Sequence, residues 1–290
     1  MICNSCPRKC NIDRNLNTGY CKSPEIFRVS RAALHFWEEP CISGKNGSGT
    51  VFFSGCNLGC VFCQNAEISH DNKGREVSDE KLVEIFENLI SQGANNINLV
   101  NPTHYAKRLS KVLAQWHSSV PIVYNTSGYE EVETLRLLDG LVDIYLTDFK
   151  YIRNDKALKY SKAKDYPEKV ISALEEMRRQ VPCDVFNESG IMQKGMIIRH
   201  LILPSNTNSS LEILDYLKEH FDNTYISLMA QYTPCNDLTQ FKEINRTVSK
   251  REYDKVADYA INKGFENIFI QELESADEKY IPAFDFTGID

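Results

Sequence analysis

Between about residue 49 and residue 270, short runs rich in β-branched and aromatic residues alternate with longer stretches whose apolar positions recur every three or four residues. That alternation predicts repeated β/α units on a parallel sheet. Strands are expected over residues 49–54, 96–100, 121–124, 142–146, 196–203 and 225–229. Helices are expected over 79–92, 105–116, 130–138, 167–180, 210–221 and 250–263. The first helix shows the logic: Ser78 stands where an N-cap belongs, and Leu82, Ile85, Phe86 and Leu89 fall on one face. A last apolar run, 267–270, reads as a seventh strand or an edge piece.

Strands joined by right-handed helical crossovers curl toward a barrel whose working end lies at their carboxyl termini. The expected fold class is therefore α/β, a partial (β/α)6 TIM-like barrel with a Cys-rich N-terminal extension. The segment Ser43, Gly44, Lys45, Asn46, Gly47, Ser48, Gly49 reads as a flexible join. It divides a Cys-rich metal-binding segment, 1–45, from the barrel, 46–290. At 290 residues and 42% hydrophobic the chain can bury an ample core. Its net charge, 33 − 40 = −7, argues against nonspecific binding to nucleic acid or to an anionic membrane. With no signal-peptide pattern at the start and no apolar run long enough to span a bilayer, a cytoplasmic location is expected. Ten cysteines in such a compartment favour metal over disulfides.

The most informative stretch follows the first expected strand: Gly55, Cys56, Asn57, Leu58, Gly59, Cys60, Val61, Phe62, Cys63, a C-x3-C-x2-C loop. Three neighbouring thiolates can hold three corners of a 4Fe-4S cube and leave the fourth iron open. Closed electron-transfer clusters use four cysteines, and structural zinc takes paired C-x2-C units or a Cys/His mix. Gly55 and Gly59 suit a loop that curls its backbone closely. Polar groups follow the later strands: Asn101, Pro102, Thr103 and His104; Asn125, Thr126, Ser127 and Gly128; Asp148 and Lys150; and Arg199 with His200 within the fifth. Turn chemistry explains any one of these. Their recurrence points to a shared pocket. Asp148 and Lys150 also read as an ion pair bracing the barrel mouth, and His104 as a capping residue.

The C-x3-C-x-aromatic-C spacing, with Phe62 at the aromatic position, resembles the radical S-adenosylmethionine (SAM) superfamily. The whole chain is similar to an uncharacterised branch of its pyruvate formate-lyase activating enzyme-like group. The motifs that carry this are Cys3 and Cys6 with Pro7, Arg8, Lys9 and Cys10; Glu38, Glu39 and Pro40; Cys63, Gln64 and Asn65; Asn101 to His104; Tyr124 to Tyr129; Asp148 to Tyr151; and Arg199, His200 and Leu201. The resemblance implies that Cys56, Cys60 and Cys63 bind a 4Fe-4S cluster whose open iron chelates the amino and carboxylate groups of SAM. Reduction by a flavodoxin- or ferredoxin-like donor then cleaves SAM to a 5'-deoxyadenosyl radical that abstracts hydrogen from a substrate. It further implies that Phe62, Asn101, Thr103, Asn125, Ser127, Asp148, Lys150 and Arg199 bind the cofactor: the group after the second strand at the methionine amino group, the next two near the ribose, the fifth strand beside the adenine. An anaerobic or oxygen-protected setting follows. Relatives activate a glycine on a partner enzyme, so a protein substrate is expected, with a peptide or small metabolite as the alternative. The Gly-Gly-Glu-type motif common after the second strand is absent here. A noncatalytic iron-sulfur or zinc protein is the rival from another class.

Cys3, Cys6, Cys10 and Cys21 form C-x2-C-x3-C-x10-C in a polar segment with little to build a core. A metal can supply the missing folding energy, and zinc and a second iron-sulfur cluster both suit. Cys41 is near enough in sequence to replace one ligand, and Cys183 and Cys235 read as isolated buried thiols. Phe284 and Phe286 are candidates to cover the barrel mouth or pack on an outer helix.

Overall fold

A computed structural model of the chain describes residues 2–273 and 282–289. Seven parallel strands form the frame, paired in the order β2 (Ser48–Phe53), β4 (Ile97–Val100), β5 (Ile122–Thr126), β6 (Ile144–Asp148), β8 (Met192–Leu201), β9 (Tyr225–Met229) and β10 (Ile268–Ile270). Their crossovers carry α3 (Asp79–Ser91), α4 (Ala106–Gln115), α5 (Val132–Leu135), α6 (Asn154–Ser161), α7 (Tyr166–Gln180), α8 (Thr207–His220) and α9 (Lys250–Asn262). The expected partial barrel is thus present, and the seventh apolar run is an edge strand beside β9. Sequence determines these elements locally. Ser78 Oγ accepts from Lys81 N at 3.1 Å, and Leu82, Ile85, Phe86 and Leu89 are the buried face of α3. Ser249 and Glu252 close a reciprocal capping box at the start of α9. Residues 130–138, expected as one helix, hold only the single turn of α5 and a 3-10 turn.

The N-terminal region departs from expectation. β1 (Phe27–His35) pairs antiparallel with β2 along one edge and with β3 (Arg75–Val77) along the other. A bulge between Val29 and Arg31 breaks its alternation, which hides the strand from pattern reading. The stretch expected to be a flexible join is packed: Ser43, Ser48 and Gly49 are buried, and β2 begins inside it. Residues on both sides of position 45 therefore share one sheet. Just before it, the short α1 (Pro40–Ser43) enters the barrel, where Cys41 and Ile42 pack on Val123, Ile144, Leu146, Met192 and Ile197. Full burial of Ile42 contributes about 1.5–3 kcal/mol to seating this plug. Cys41 therefore serves the barrel interior. Further short elements are α2 (Ala66–Ser69) after the cysteine loop and β7 (Val185–Phe186), which pairs with β8.

Candidate active site

The cysteine loop leaves the carboxyl end of β2 and is fastened by four groups of contacts. Val61 N donates to Tyr160 O at 2.8 Å, beside the end of α6. Asn236 Nδ2 donates to Val61 O and Cys63 O at 3.1 and 2.9 Å, and Asn57 Nδ2 to Tyr129 O at 2.6 Å. From the N-terminal segment, the Arg8 guanidinium reaches Asn57 O at 2.8 Å, Leu58 O at 2.9 Å, Ser161 O at 3.2 Å and Lys162 O at 2.6 Å, and stacks on Tyr20. Gly55 and Gly59 have φ of 86° and 77°. A Cβ on Gly55 would sit 2.5 Å from Cys21 O, and one on Gly59 would sit 2.6 Å from the Tyr20 hydroxyl. The glycines make room for the N-terminal segment.

Cys56, Cys60 and Cys63 line one cavity of about 720 Å³, within the range of small-molecule sites. Ser161 Oγ donates to Cys60 Sγ at 3.0 Å, and Ser69 Oγ lies 3.1 Å from Cys63 Sγ. Burial pushes the Cys63 thiol up to about 12 and raises that of Cys60. The same cavity is lined by Phe62, Asn101, Asn125, Ser127, Asp148, Lys150 and Arg199. Phe62 packs edge-on against Tyr232, with ring centroids 5.7 Å apart.

The polar wall is a connected network. Arg199 donates from Nε to Asp148 Oδ1 at 2.8 Å, from Nη2 to Asn125 Oδ1 at 2.6 Å, and from Nη1 to Glu38 Oε2 at 3.3 Å. Lys150 Nζ donates to Asp148 Oδ2 at 2.5 Å. Burial acts to raise the Asp148 carboxyl, but its two cationic partners outweigh this and hold it below the usual carboxylate range. The brace and the cavity wall are one structure. Ser127 Oγ is buried without a hydrogen-bond partner, which leaves it available to a ligand.

Two expected cofactor contacts are otherwise engaged. Asn101, in the left-handed region at φ 57°, donates its amide to Gly55 O. Thr103 does not line the cavity: its hydroxyl donates to Glu130 Oε1 at 2.5 Å behind the wall. His104 is a brace, its Nε2 2.8 Å from Ser54 O and its imidazole held neutral by burial, with a pKa lowered to about 3.

The sequence from the second half of β2 onward matches the radical SAM superfamily over residues 50–192. Across 268 residues the chain is 30% identical to the uncharacterized protein MJ0674 of Methanocaldococcus jannaschii, covering 89% of this chain and 74% of that protein. The chain belongs to the radical SAM superfamily. A similar solved structure is the FeFe-hydrogenase maturase HydG from Carboxydothermus hydrogenoformans, with a TM-score of 0.48 at 14% identity over 80% of this chain and 56% of that one. Radical SAM membership makes the protein an enzyme and implies a 4Fe-4S cluster, SAM and a reductant.

The residues present fit a radical SAM cluster. Three thiols of one loop face one cavity, yet among the described residues no three Cys, His, Asp or Glu side chains converge on a single-ion position. Three thiolates on one cavity wall suit three corners of a cube and leave its fourth iron open to the polar strand ends opposite. The same observation applies to Cys3, Cys6, Cys10 and Cys21, which are not gathered as a closed zinc site. Cys3 N to Ile12 O at 2.8 Å and Asn11 N to Cys3 O at 2.9 Å order that segment as a small hairpin. Cys183 and Cys235, read as buried, are exposed, because each sits in a loop beside a proline. Phe284 is buried on Phe52 with Ile68 and Val100, three residues of the cavity wall, whereas Phe286 lies by Lys73 and Arg75. Sequence reading assigned no role to Glu38, Tyr166 or Ser161. Tyr166 Oη accepts from Lys150 N at 3.0 Å and lies 2.8 and 3.0 Å from the carbonyls of Ser127 and Asp148, tying two strand ends together. Among the described residues no helix is long and apolar enough to cross a membrane.

Proposed function

We propose that Cys56, Cys60 and Cys63 hold the 4Fe-4S cluster in this cavity, and that SAM lies against Asn125, Ser127, Asp148, Lys150 and Arg199. The observation that carries this reading is the convergence of the three thiols and the polar strand ends on one cavity. Cluster and SAM together supply a 5'-deoxyadenosyl radical that takes hydrogen from the substrate. The chain's own contribution is placement. The Arg8, Tyr160 and Asn236 contacts fix the thiol loop, the Asp148–Arg199–Asn125 network holds hydrogen-bonding groups in register across β5, β6 and β8, and Phe62 with Tyr232 walls the cavity from water.

The substrate class we assign is a glycine of a partner protein, with a flavodoxin- or ferredoxin-like reductant, in the cytoplasm; the motifs shared with the activating-enzyme group support it. The N-terminal cysteines are assigned a second metal, whose binding must draw the four thiols together. Calorimetry of the cluster-loaded protein tests the first step: SAM is expected to bind at one site per chain, and no binding would refute the assignment. Mixing the reduced, SAM-loaded protein with a glycyl-radical enzyme of the same genome is expected to give an organic radical doublet. Release of 5'-deoxyadenosine with a peptide or small metabolite and no doublet with the protein would overturn the glycine assignment.

A further inference from the structure

Three carboxylates and two cations line the cavity: Glu38, Glu39 and Asp148 against Lys150 and Arg199. Four of the five are paired. Asp148 contacts both cations, and Glu38 contacts Arg199 and accepts from Asn98 and Asn125 at 3.1 and 3.2 Å. Each Arg199 nitrogen already donates once, Nε to Asp148, Nη1 to Glu38 and Nη2 to Asn125, and none reaches Glu39 within ion-pair distance among the described residues. Glu39 is the remainder. It is 8% exposed, its Oε2 has no hydrogen-bond partner, and among the described residues it makes no ion pair; Ser227 is the hydroxyl within its reach. Burial raises its carboxyl, because Arg199 offsets only part of the lost hydration. A buried carboxylate only partly compensated by its surroundings is costly, and one that faces a ligand cavity with an unpartnered oxygen invites a cation from outside.

Glu39 also sits in a telling place. It caps α1, whose Cys41 and Ile42 plug the barrel among mid-strand residues, whereas the thiol loop leaves the carboxyl end of β2. Ser227, its neighbour, stands in register with Arg199 on β8, which in turn pairs with Asp148 on β6, so the carboxylate faces the cavity from the α1 side at the level of the polar network. Phe36 and Phe269 line the same cavity and offer apolar surface to an alkyl stem.

We propose that Glu39 is the substrate anchor, a carboxylate that binds an alkylammonium or guanidinium group such as a lysine or arginine side chain carried next to the reacting C–H bond. This rests on the assignment of the cavity to a SAM-dependent radical reaction. The cation would neutralise the cavity carboxylate that makes no ion pair among the described residues, and where Glu39 is protonated beforehand its proton leaves as the cation enters. Glu39 fixes where the substrate lies, and the hydrogen transfer itself does not pass through it.

The test is a binding measurement with N-acetyl-lysine methylamide, the isosteric neutral N-acetyl-norleucine methylamide, and agmatine, on cluster-loaded wild type, Glu39→Gln and Glu39→Asp. Wild type is expected to prefer the lysine derivative over the norleucine derivative by at least about tenfold and to bind agmatine. Glu39→Gln is expected to reduce that preference to within about twofold, and Glu39→Asp to retain part of it. Absence of a preference in wild type, or its survival in Glu39→Gln, would overturn the proposal. A parallel SAM titration separates the other cationic source: a tenfold loss of SAM affinity in Glu39→Gln without a lysine preference in wild type would assign Glu39 to the SAM ammonium and overturn the proposal. Formation of 5'-deoxyadenosine, followed separately, reports on the radical assignment, so the two failures are distinguishable.

Discussion

Glu130 gives the sharpest quantitative expectation. Its side chain is buried at 1% exposure; Oε1 takes the hydroxyls of Thr103 and Thr126, and Oε2 has no partner. Burial dominates the two hydroxyl contacts and moves the carboxyl from 4.5 up to about 7. A pKa raised on folding means that the native state binds the proton more tightly than the unfolded chain. Its contribution to stability is fully present below about 4.5 and is lost as pH climbs through about 7. At about 1.4 kcal/mol per pH unit, the loss across that window is about 2–3 kcal/mol. Glu130→Gln keeps the shape and an acceptor oxygen but cannot ionise. Urea unfolding followed by tryptophan fluorescence, at about pH 5 and about pH 8.5, should show wild type losing about 2–3 kcal/mol more than Glu130→Gln between the two conditions. Groups elsewhere titrate in both proteins and cancel in the difference. Parallel pH profiles for the two would refute the reasoning, since they would mean that Glu130 is hydrated or otherwise compensated in the fold.

Other substitutions probe the site's supports. Gly55→Ala combines a left-handed backbone with contact against Cys21 O and is expected to cost more than about 2 kcal/mol in urea unfolding, whereas Gly93→Ala, also left-handed but with open space around it, should cost about 1 kcal/mol. Arg199→Met leaves Asp148 and Glu38 without their shared cation and should lower stability by about 3–5 kcal/mol, read by the same assay. A Cys3→Ala/Cys6→Ala double variant should lose the N-terminal metal yet retain the iron bound by Cys56, Cys60 and Cys63, as measured by iron and zinc per chain in anaerobically purified protein. Arg8→Ala removes two carbonyl contacts from the N-terminal segment to the thiol loop and two to the end of α6, and should speed limited proteolysis within the first 25 residues relative to wild type.

The barrel was legible because its parallel strands are buried on both faces and read as apolar runs, and because helices such as α3 and α9 carry their own caps and stripes. β1 was not, since its bulge and its two alanines erase the alternation that marks a half-buried strand. α6 was missed for a related reason: only Ala157, Tyr160 and Ser161 of its eight residues are buried, too few to show a stripe. At the site, local spacing identified the thiol loop, and strand ends identified Asn125, Ser127, Asp148, Lys150 and Arg199 as cavity residues. Thr103 lay outside the cavity because a 3-10 turn following Pro102 carries its hydroxyl to Glu130. Glu38 and Glu39 reach the site on the connection between β1 and β2, which carries α1 into the barrel; no local pattern reports such a path. The adjacent glutamates ahead of Pro40 were the available signal, and their meaning depends on Arg199, 161 residues away from Glu38.

On the proposed function, three thiols of one loop serve SAM cleavage in the cavity they line. Anaerobically reconstituted, dithionite-reduced wild type incubated with SAM should release 5'-deoxyadenosine and methionine, and Cys56→Ala, Cys60→Ala and Cys63→Ala should each abolish the release. Wild type that carries the cluster yet yields no 5'-deoxyadenosine with any substrate offered, or a cysteine variant that cleaves SAM as well as wild type, would overturn the assignment of these thiols.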